Sequence, residues 1–399
     1  MNIPYGKQHI SDEDIQAVVD ALRSDFLTQG PRINKFEEAF AAYVGSRYAV
    51  AVSNGTAALH LCAMALNVQP GDKIITTPIT FAASANCVRY CGGEVVFADI
   101  DPVTYLLDID KVRALLEASP KGTYKGIIPV DFAGRAINLE HFRRLANEYD
   151  LWIIEDACHA PGGYFMDSAD VKQYCGNGLY ADLAIFSFHP VKHIAAGEGG
   201  MITTNNEKLY RKLLMLRTHG ITRDESQFTN AVAFATSGEA TRGAFPGWYM
   251  EMQELGYNYR ITDFQCALGL SQLSRADAGV ARRRELARQY DRAFDGHKDI
   301  LAPLCELAKG SGAHAYHLYV IQTSRRLELY NYLREHSIFP QVHYIPTHLM
   351  PYYRLLGWRE GQLPEAEKYY TRCLSLPMYP TLSDEEQQFV IGTINSFFG

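Results

Sequence analysis

Two side chains of this 399-residue sequence, Lys192 and Asp156, have the type and setting for chemistry on a carbonyl group. Lys192 lies between the apolar run Ala181-Asp-Leu-Ala-Ile-Phe-Ser-Phe188 and a Gly-rich turn holding Gly197, Gly199 and Gly200, after which Met201-Ile-Thr-Thr204 can pair as a further strand. An amine held between two buried strands loses hydration, which disfavours its ammonium form and frees its lone pair to attack a carbonyl carbon. That is the requirement for Schiff-base formation; the plainer alternative is a lysine snorkelling from a strand end. Asp156 closes the apolar run Leu151-Trp-Ile-Ile-Glu-Asp156 and hands over to Ala157-Cys-His159. A carboxylate at the carboxyl end of a buried strand stands where open α/β sheets place their ligands, although an aspartate capping a helix would look the same. Lysine and carboxylate together suit pyridoxal 5'-phosphate (PLP), whose ring nitrogen must stay protonated to accept electrons.

A third stretch, Arg47-Tyr-Ala-Val-Ala-Val-Ser-Asn-Gly-Thr-Ala-Ala-Leu59, reads as strand, turn and helix, with the helix running from Thr56 to about Leu66. Free N–H groups at a helix start attract anions, and Gly55 would let a phosphate approach the backbone. An ordinary turn capped by Ser53 or Thr56 is the alternative.

Ser-Asn-Gly-Thr-Ala-Ala-Leu59, Glu155-Asp-Ala-Cys-His159, Ser187-Phe-(x)3-Lys192-(x)4-Gly-Glu-Gly-Gly200 and Gly256-Tyr-Asn-Tyr-Arg260, in that order, resemble the DegT/DnrJ/EryC1/StrS sugar aminotransferases. The likeness runs from about Pro4 to Leu382. It implies the fold-type-I PLP transferase architecture, a large domain with a mostly parallel sheet flanked by helices plus a smaller C-terminal α+β domain. Lys192 and Asp156 would be the catalytic pair; Gly55, Thr56, Phe81, His159, Ser187 and Asn258 would complete the cofactor site. Phe81 would stack on the pyridine ring; otherwise it is core. His159 stands where many relatives carry a glutamine that bonds the cofactor's phenolic oxygen, and imidazole can donate that bond as well. Asn258 would reach the phosphate of a neighbouring subunit in a homodimer, or merely hold its own turn.

Within the family, Ser187-Phe-His-Pro-Val-Lys-His193 and the N-terminal Pro4-Tyr-Gly-Lys-Gln-His-Ile-Ser11 most resemble the 4-aminotransferases of pseudaminic acid type pathways. That implies L-glutamate as donor and a UDP-linked 4-keto-6-deoxy-N-acetylhexosamine as acceptor. PLP-dependent sugar dehydratases share the fold but carry histidine at the lysine position, so Lys192 argues against that alternative, with His193 next door. A catalytically inactive PLP-binding regulator would be expected to lack Lys192 or Asp156.

Composition narrows the class further. With 47% apolar residues the chain can fill two cores, and the expected division is residues 1–240 and 241–399. The 38 basic and 45 acidic side chains are interspersed and leave a net charge of −7, with no basic stripe for nucleic acid. No run approaches the roughly 20 apolar residues of a membrane helix, and the N-terminus lacks a signal-peptide core, so a cytoplasmic enzyme is expected. The eight cysteines form no CxxC pair. Cys87 and Cys91 are not joined by any ligand spacing to His314, His317, His343 and His348, so no metal site is expected.

Alternating strand and helix patterns position these residues. Strands are predicted at 48–52, 73–77, 94–98, 125–130 and 151–155, with helices between them, and such alternation dictates a mostly parallel sheet. Residues 221–254 read as one long loop, 256–294 as a long helical region with Arg282, Arg283, Arg284 and Arg288 on a solvated face, and 314–397 as the smaller domain.

Overall fold

The computed structural model describes residues 2–236, 244–303 and 312–399. The expected boundary at residue 240, part of the predicted loop and Cys305 lie outside the described residues.

Seven strands form the central sheet, in the spatial order Tyr48–Val52, Gly200–Thr204, Leu183–Ser187, Trp152–Asp156, Tyr124–Ile128, Lys73–Thr76 and Glu94–Phe97. The five from Leu183–Ser187 to Glu94–Phe97 run parallel. Gly200–Thr204 is antiparallel to both of its neighbours, because a short Gly-rich connection after Lys192 returns the chain directly beside the strand it has left. Parallel strands covered by helices on both faces are apolar throughout, and Ile74, Ile75, Ile127, Ile153, Ile154 and Ile185 are all fully buried.

The helix Gly55–Ala65 starts one residue earlier than predicted, and its cap is neither Ser53 nor Thr56. Asn54 is extended and its side chain accepts the Ala57 N–H at 2.8 Å. Short elements break the predicted loop at 221–254: Ile221–Thr222 pairs with Glu251–Met252, and Val232–Ala235 makes one helical turn.

The second core gathers around Tyr319–Gln322 paired with Cys373–Leu376, a strand that sequence patterning did not reveal. Helices Arg326–Glu335 and Asp384–Phe398 cover it. The chain start joins this unit, since Ile3–Pro4 runs parallel to Ile338–Phe339. Gln341 makes a single bridge to Ser375.

The predicted helical region at 256–294 is two helices, Asp263–Leu273 and Ala276–Phe294. The first packs on Asp12–Leu22 and Pro31–Val44. In the second, the arginines do not share a solvated face: Arg283 lies on the stripe of Val280, Leu286, Ala287 and Tyr290 and is 2% exposed. A helix turns 100° per residue, so Arg282, Arg283 and Arg284 cannot face one way. Arg283 Nη1 donates to the carbonyls of Tyr316, His317 and Met378 at 3.1, 3.2 and 2.7 Å. Removing it leaves buried acceptors without donors. Arg283→Ala is expected to cost roughly 3 kcal/mol or more, visible as a fall of several degrees in the Tm of the apoprotein. An unchanged Tm would contradict this role.

Candidate active site

The sequence-predicted residues converge at the carboxyl ends of the central strands, apart from Phe81 and Asn258 at its margins. Asp156 ends its strand 5% exposed. Its Oδ2 accepts the Ser84 hydroxyl at 2.6 Å and its Oδ1 the Cys158 N–H at 3.2 Å. Ser84 is bonded in turn to Thr80 at 2.7 Å. Two donors on a carboxylate fix its direction. Neither Ser84 nor Thr80 was singled out in the sequence; a hydroxyl pair four residues apart at a strand end was the available signal.

Beside it, Gly55 opens a helix whose first N–H groups, those of Gly55 and Thr56, meet no acceptor among the described residues. Ser187 closes the far side: a Cβ on Gly55 would come to 3.0 Å from the Ser187 Cβ. The return strand is equally tight, since a Cβ on Gly200 would fall 2.6 Å from the carbonyl carbon of Asn54. Glycine is thus required at 200, where the obstacle is backbone, whereas a side chain at 55 would have to push Ser187 aside.

Lys192 Nζ lies 3.5 Å from His317 Nε2. Burial lowers the pKa of the amine, and the Asp156 carboxylate pulls against that shift. His159 lies against His317 with ring centroids 4.3 Å apart and planes tilted by 37°, and His193 is 5.8 Å from the same ring. Burial holds His159, His193 and His317 well below the ordinary imidazole range and His343 down to about 3, so Lys192 is surrounded by neutral rings. His159 Nδ1 accepts the Ala133 N–H at 3.2 Å, which leaves the proton of the neutral ring on Nε2, 3.3 Å from the Tyr344 hydroxyl. His159 therefore presents a donor into the site. His317 entered the sequence analysis only as a metal candidate, and nothing local marked it, because 125 residues separate it from Lys192.

Phe81 is 64% exposed at the mouth, its ring centroid 6.5 Å from that of Tyr344, so the core alternative does not hold. Asn258 is exposed and pairs by backbone with Thr218. Its side chain makes no hydrogen bond within the described residues. Among the described residues, the group that could hold a metal ion is Asp131, Glu155 and Cys175, none of them in the cysteine and histidine sets weighed above.

A helix start with free N–H groups and a buried carboxylate within the field of a desolvated lysine fit PLP. Fold and site define a PLP-dependent aminotransferase of fold type I. Comparison with known proteins places it more narrowly. Residues 8–395 match the DegT/DnrJ/EryC1/StrS aminotransferase family, and the chain belongs to that family. It is 35% identical to the UDP-4-amino-4,6-dideoxy-N-acetyl-beta-L-altrosamine transaminase of Campylobacter jejuni, over 99% of this chain and 97% of the relative. Among solved structures it resembles PseC of Helicobacter pylori, an aminotransferase involved in pseudaminic acid biosynthesis, with a TM-score of 0.86, 29% identity, and 100% and 99% of the two chains covered. It also resembles a Streptococcus pneumoniae protein solved in its PLP form, with a TM-score of 0.85, 27% identity, and 99% and 98% covered. Among the described residues no helix is long and apolar enough to cross a membrane.

The lowered pKa of Lys192 leaves its amine uncharged at a lower pH than an ordinary lysine. In the apoprotein, acylation of Lys192 followed by mass spectrometry should show a pH midpoint below the about 10.4 of a free side chain. A midpoint at or above that value would mean that the amine is not desolvated in solution.

Proposed function

We propose that this enzyme moves an amino group from L-glutamate to C4 of a UDP-linked 4-keto-6-deoxy-N-acetylhexosamine, in a nucleotide-sugar pathway of the pseudaminic acid type. The likeness to the Campylobacter and Helicobacter proteins supports the substrate class. The observation that carries the chemistry is the buried Lys192 amine within the field of Asp156 and against the neutral His317.

The residues divide the work as follows. PLP supplies the electron sink that lets a carbon–hydrogen bond beside nitrogen ionise. Asp156 would hold a proton on the ring nitrogen by its charge, and Ser84 and the Cys158 N–H keep that carboxylate aimed. The Gly55 and Thr56 amides and the Ser187 hydroxyl would hold the phosphate. His159 Nε2–H would donate to the phenolic oxygen, and Phe81 would flank the ring. Lys192, as the uncharged amine favoured by burial, would anchor the cofactor and then carry the proton that leaves the substrate carbon. Neutral imidazoles around it neither compete for that proton nor repel a protonated Lys192. Replacing Lys192 by alanine removes both roles and leaves the phosphate and ring contacts, so Lys192→Ala retains PLP without turnover. Borohydride reduction fixes PLP covalently to the wild type and not to the variant.

The substrate reading is tested by NMR of products formed from L-glutamate and a panel of UDP-, dTDP- and GDP-linked 4-keto-6-deoxy sugars. Amination at C4 of the UDP-N-acetylhexosamine at the highest kcat/KM is expected. Equal turnover of the dTDP or GDP sugars would sink the nucleotide assignment, and a deoxygenated product would mark a dehydratase.

We further propose a cytoplasmic homodimer, with a larger cofactor-binding domain over residues 1–240, a smaller domain over 241–399 and helix Asp263–Leu273 spanning between them. Phe234, Trp248, Met252 and Leu255 are at least 65% exposed, the last two within six residues of Asn258, and a second copy would cover such apolar side chains. In that dimer Asn258 serves the partner's phosphate. Given an impaired Asn258→Ala homodimer, mixing Lys192→Ala chains with Asn258→Ala chains should restore about half of the wild-type activity per heterodimer, because one of two shared sites is intact. No recovery after demonstrated chain exchange places Asn258 in its own site.

A further inference from the structure

Behind Asp156 lies a second set of ionisable groups that the scheme above does not use. Successive side chains of a strand point to opposite faces, so Glu155 is turned away from the face that Asp156 and Ser84 occupy. On that far side Asp131, Glu155 and Cys175 bring polar atoms within 4.8 Å of one another, all three buried. Asp131 is held there by its own backbone, whose N–H donates to the Asp156 carbonyl at 3.0 Å. Its Oδ1 accepts the Ile137 N–H at 2.8 Å, and Glu155 Oε2 accepts the Gly176 N–H at 3.0 Å. Asp131 Oδ2 is fully buried and accepts no hydrogen bond of ordinary geometry among the described residues, the weakly donating Cys175 thiol beside it included.

An orphaned acceptor beside a second carboxyl identifies the missing donor. Two carboxylates this close in a dry interior cannot both ionise. A proton between them satisfies Oδ2 and removes one of two like charges.

We propose that Asp131 and Glu155 are positioning residues that share one proton behind Asp156, so that together they carry a single negative charge at neutral pH. Burial pushes both carboxyls up, Asp131 to about 7 and Glu155 well above its ordinary range, and the titratable groups facing them are Asp156 and Cys175. The pair's charge adds to the field of Asp156 at the ring nitrogen. A second negative charge there would stand in a dry interior unopposed, and with no charge the field at the ring nitrogen would be weaker. This consequence rests on the assignment of Asp156 above, whereas the shared proton is a property of the apoprotein and is tested there.

The unfolded carboxyls titrate at about 3.9 and 4.3. The folded pair keeps its proton to higher pH, so it contributes stability that is lost as pH rises through the folded values. Wild-type apoprotein should therefore lose Tm between about pH 5 and pH 8. The amide of Glu155→Gln donates in the proton's place and cannot ionise, so this variant should gain a few degrees over wild type across that interval. The infrared spectrum of the wild-type apoprotein at pH 7 should contain a carboxylic-acid C=O stretch, sensitive to D2O, that Glu155→Gln lacks. If Glu155→Gln does not fold, Asp131→Asn carries the same comparison, and the wild-type band and its disappearance at high pH stand alone. Loaded with PLP, Asp131→Asn/Glu155→Gln should shift the pH midpoint of the cofactor absorbance downward. Parallel Tm curves, no protonated-carboxyl band, or a stoichiometric divalent metal lost on substitution would overturn the shared proton. An unmoved absorbance midpoint in the double variant would overturn its effect on the cofactor site.

Discussion

The buried carboxylate of Asp156 constrains everything around it. A charge taken out of water must be satisfied by donors, and here a serine hydroxyl and a backbone amide supply them before any ligand arrives. That demand places Ser84 at the start of the helix Ala83–Tyr90 and fixes the Asp156–Cys158 turn. The same demand makes the carboxylate a partner for a cation, and Lys192 answers to its field. An aspartate this buried is costly in a plain core and useful under a cofactor.

Lys192 is placed by a compromise between sheet and loop. The strand that precedes it and the strand that follows it are adjacent and antiparallel, so the connection must turn within a dozen residues while keeping the lysine over the strand ends. Gly199 and Gly200 make that turn possible where Phe188, Ile261 and Asn54 leave no room for side chains. His317 and Tyr344 then close the pocket from the C-terminal unit. Arg283 holds that unit in place, tying the carbonyls on either side of His317 to the long helix. The electrostatics of the amine therefore depend on a guanidinium that never touches it.

Much of the site was legible locally. Lys192, Asp156, Ser187 and Gly55 sit at strand ends or a helix start, where hydrophobic period and glycine punctuation show the register, and the four ordered motifs carried the family likeness. Capping was less legible, because Asn54, Ser53 and Thr56 are all competent and backbone geometry chose Asn54. Arg283 was misread from its charged neighbours, although its spacing from Val280, Ala287 and Tyr290 held the correct answer. The strand Cys373–Leu376 escaped because it follows the helix Pro364–Arg372 with no turn residues between, and its partner lies more than fifty residues earlier.

The sequence by itself determined the alternation of strands and helices, the family, the cofactor and the strand-end positions of Lys192 and Asp156, because each follows from local pattern and residue type. Only the tertiary structure decided which histidines surround that lysine, which hydroxyl aims the aspartate, and that Asp131 and Glu155 meet behind it. Those contacts join segments 24 to 125 residues apart, where no periodicity links one residue to the other. Their energies arise from desolvation, which exists only once the chain has closed around them.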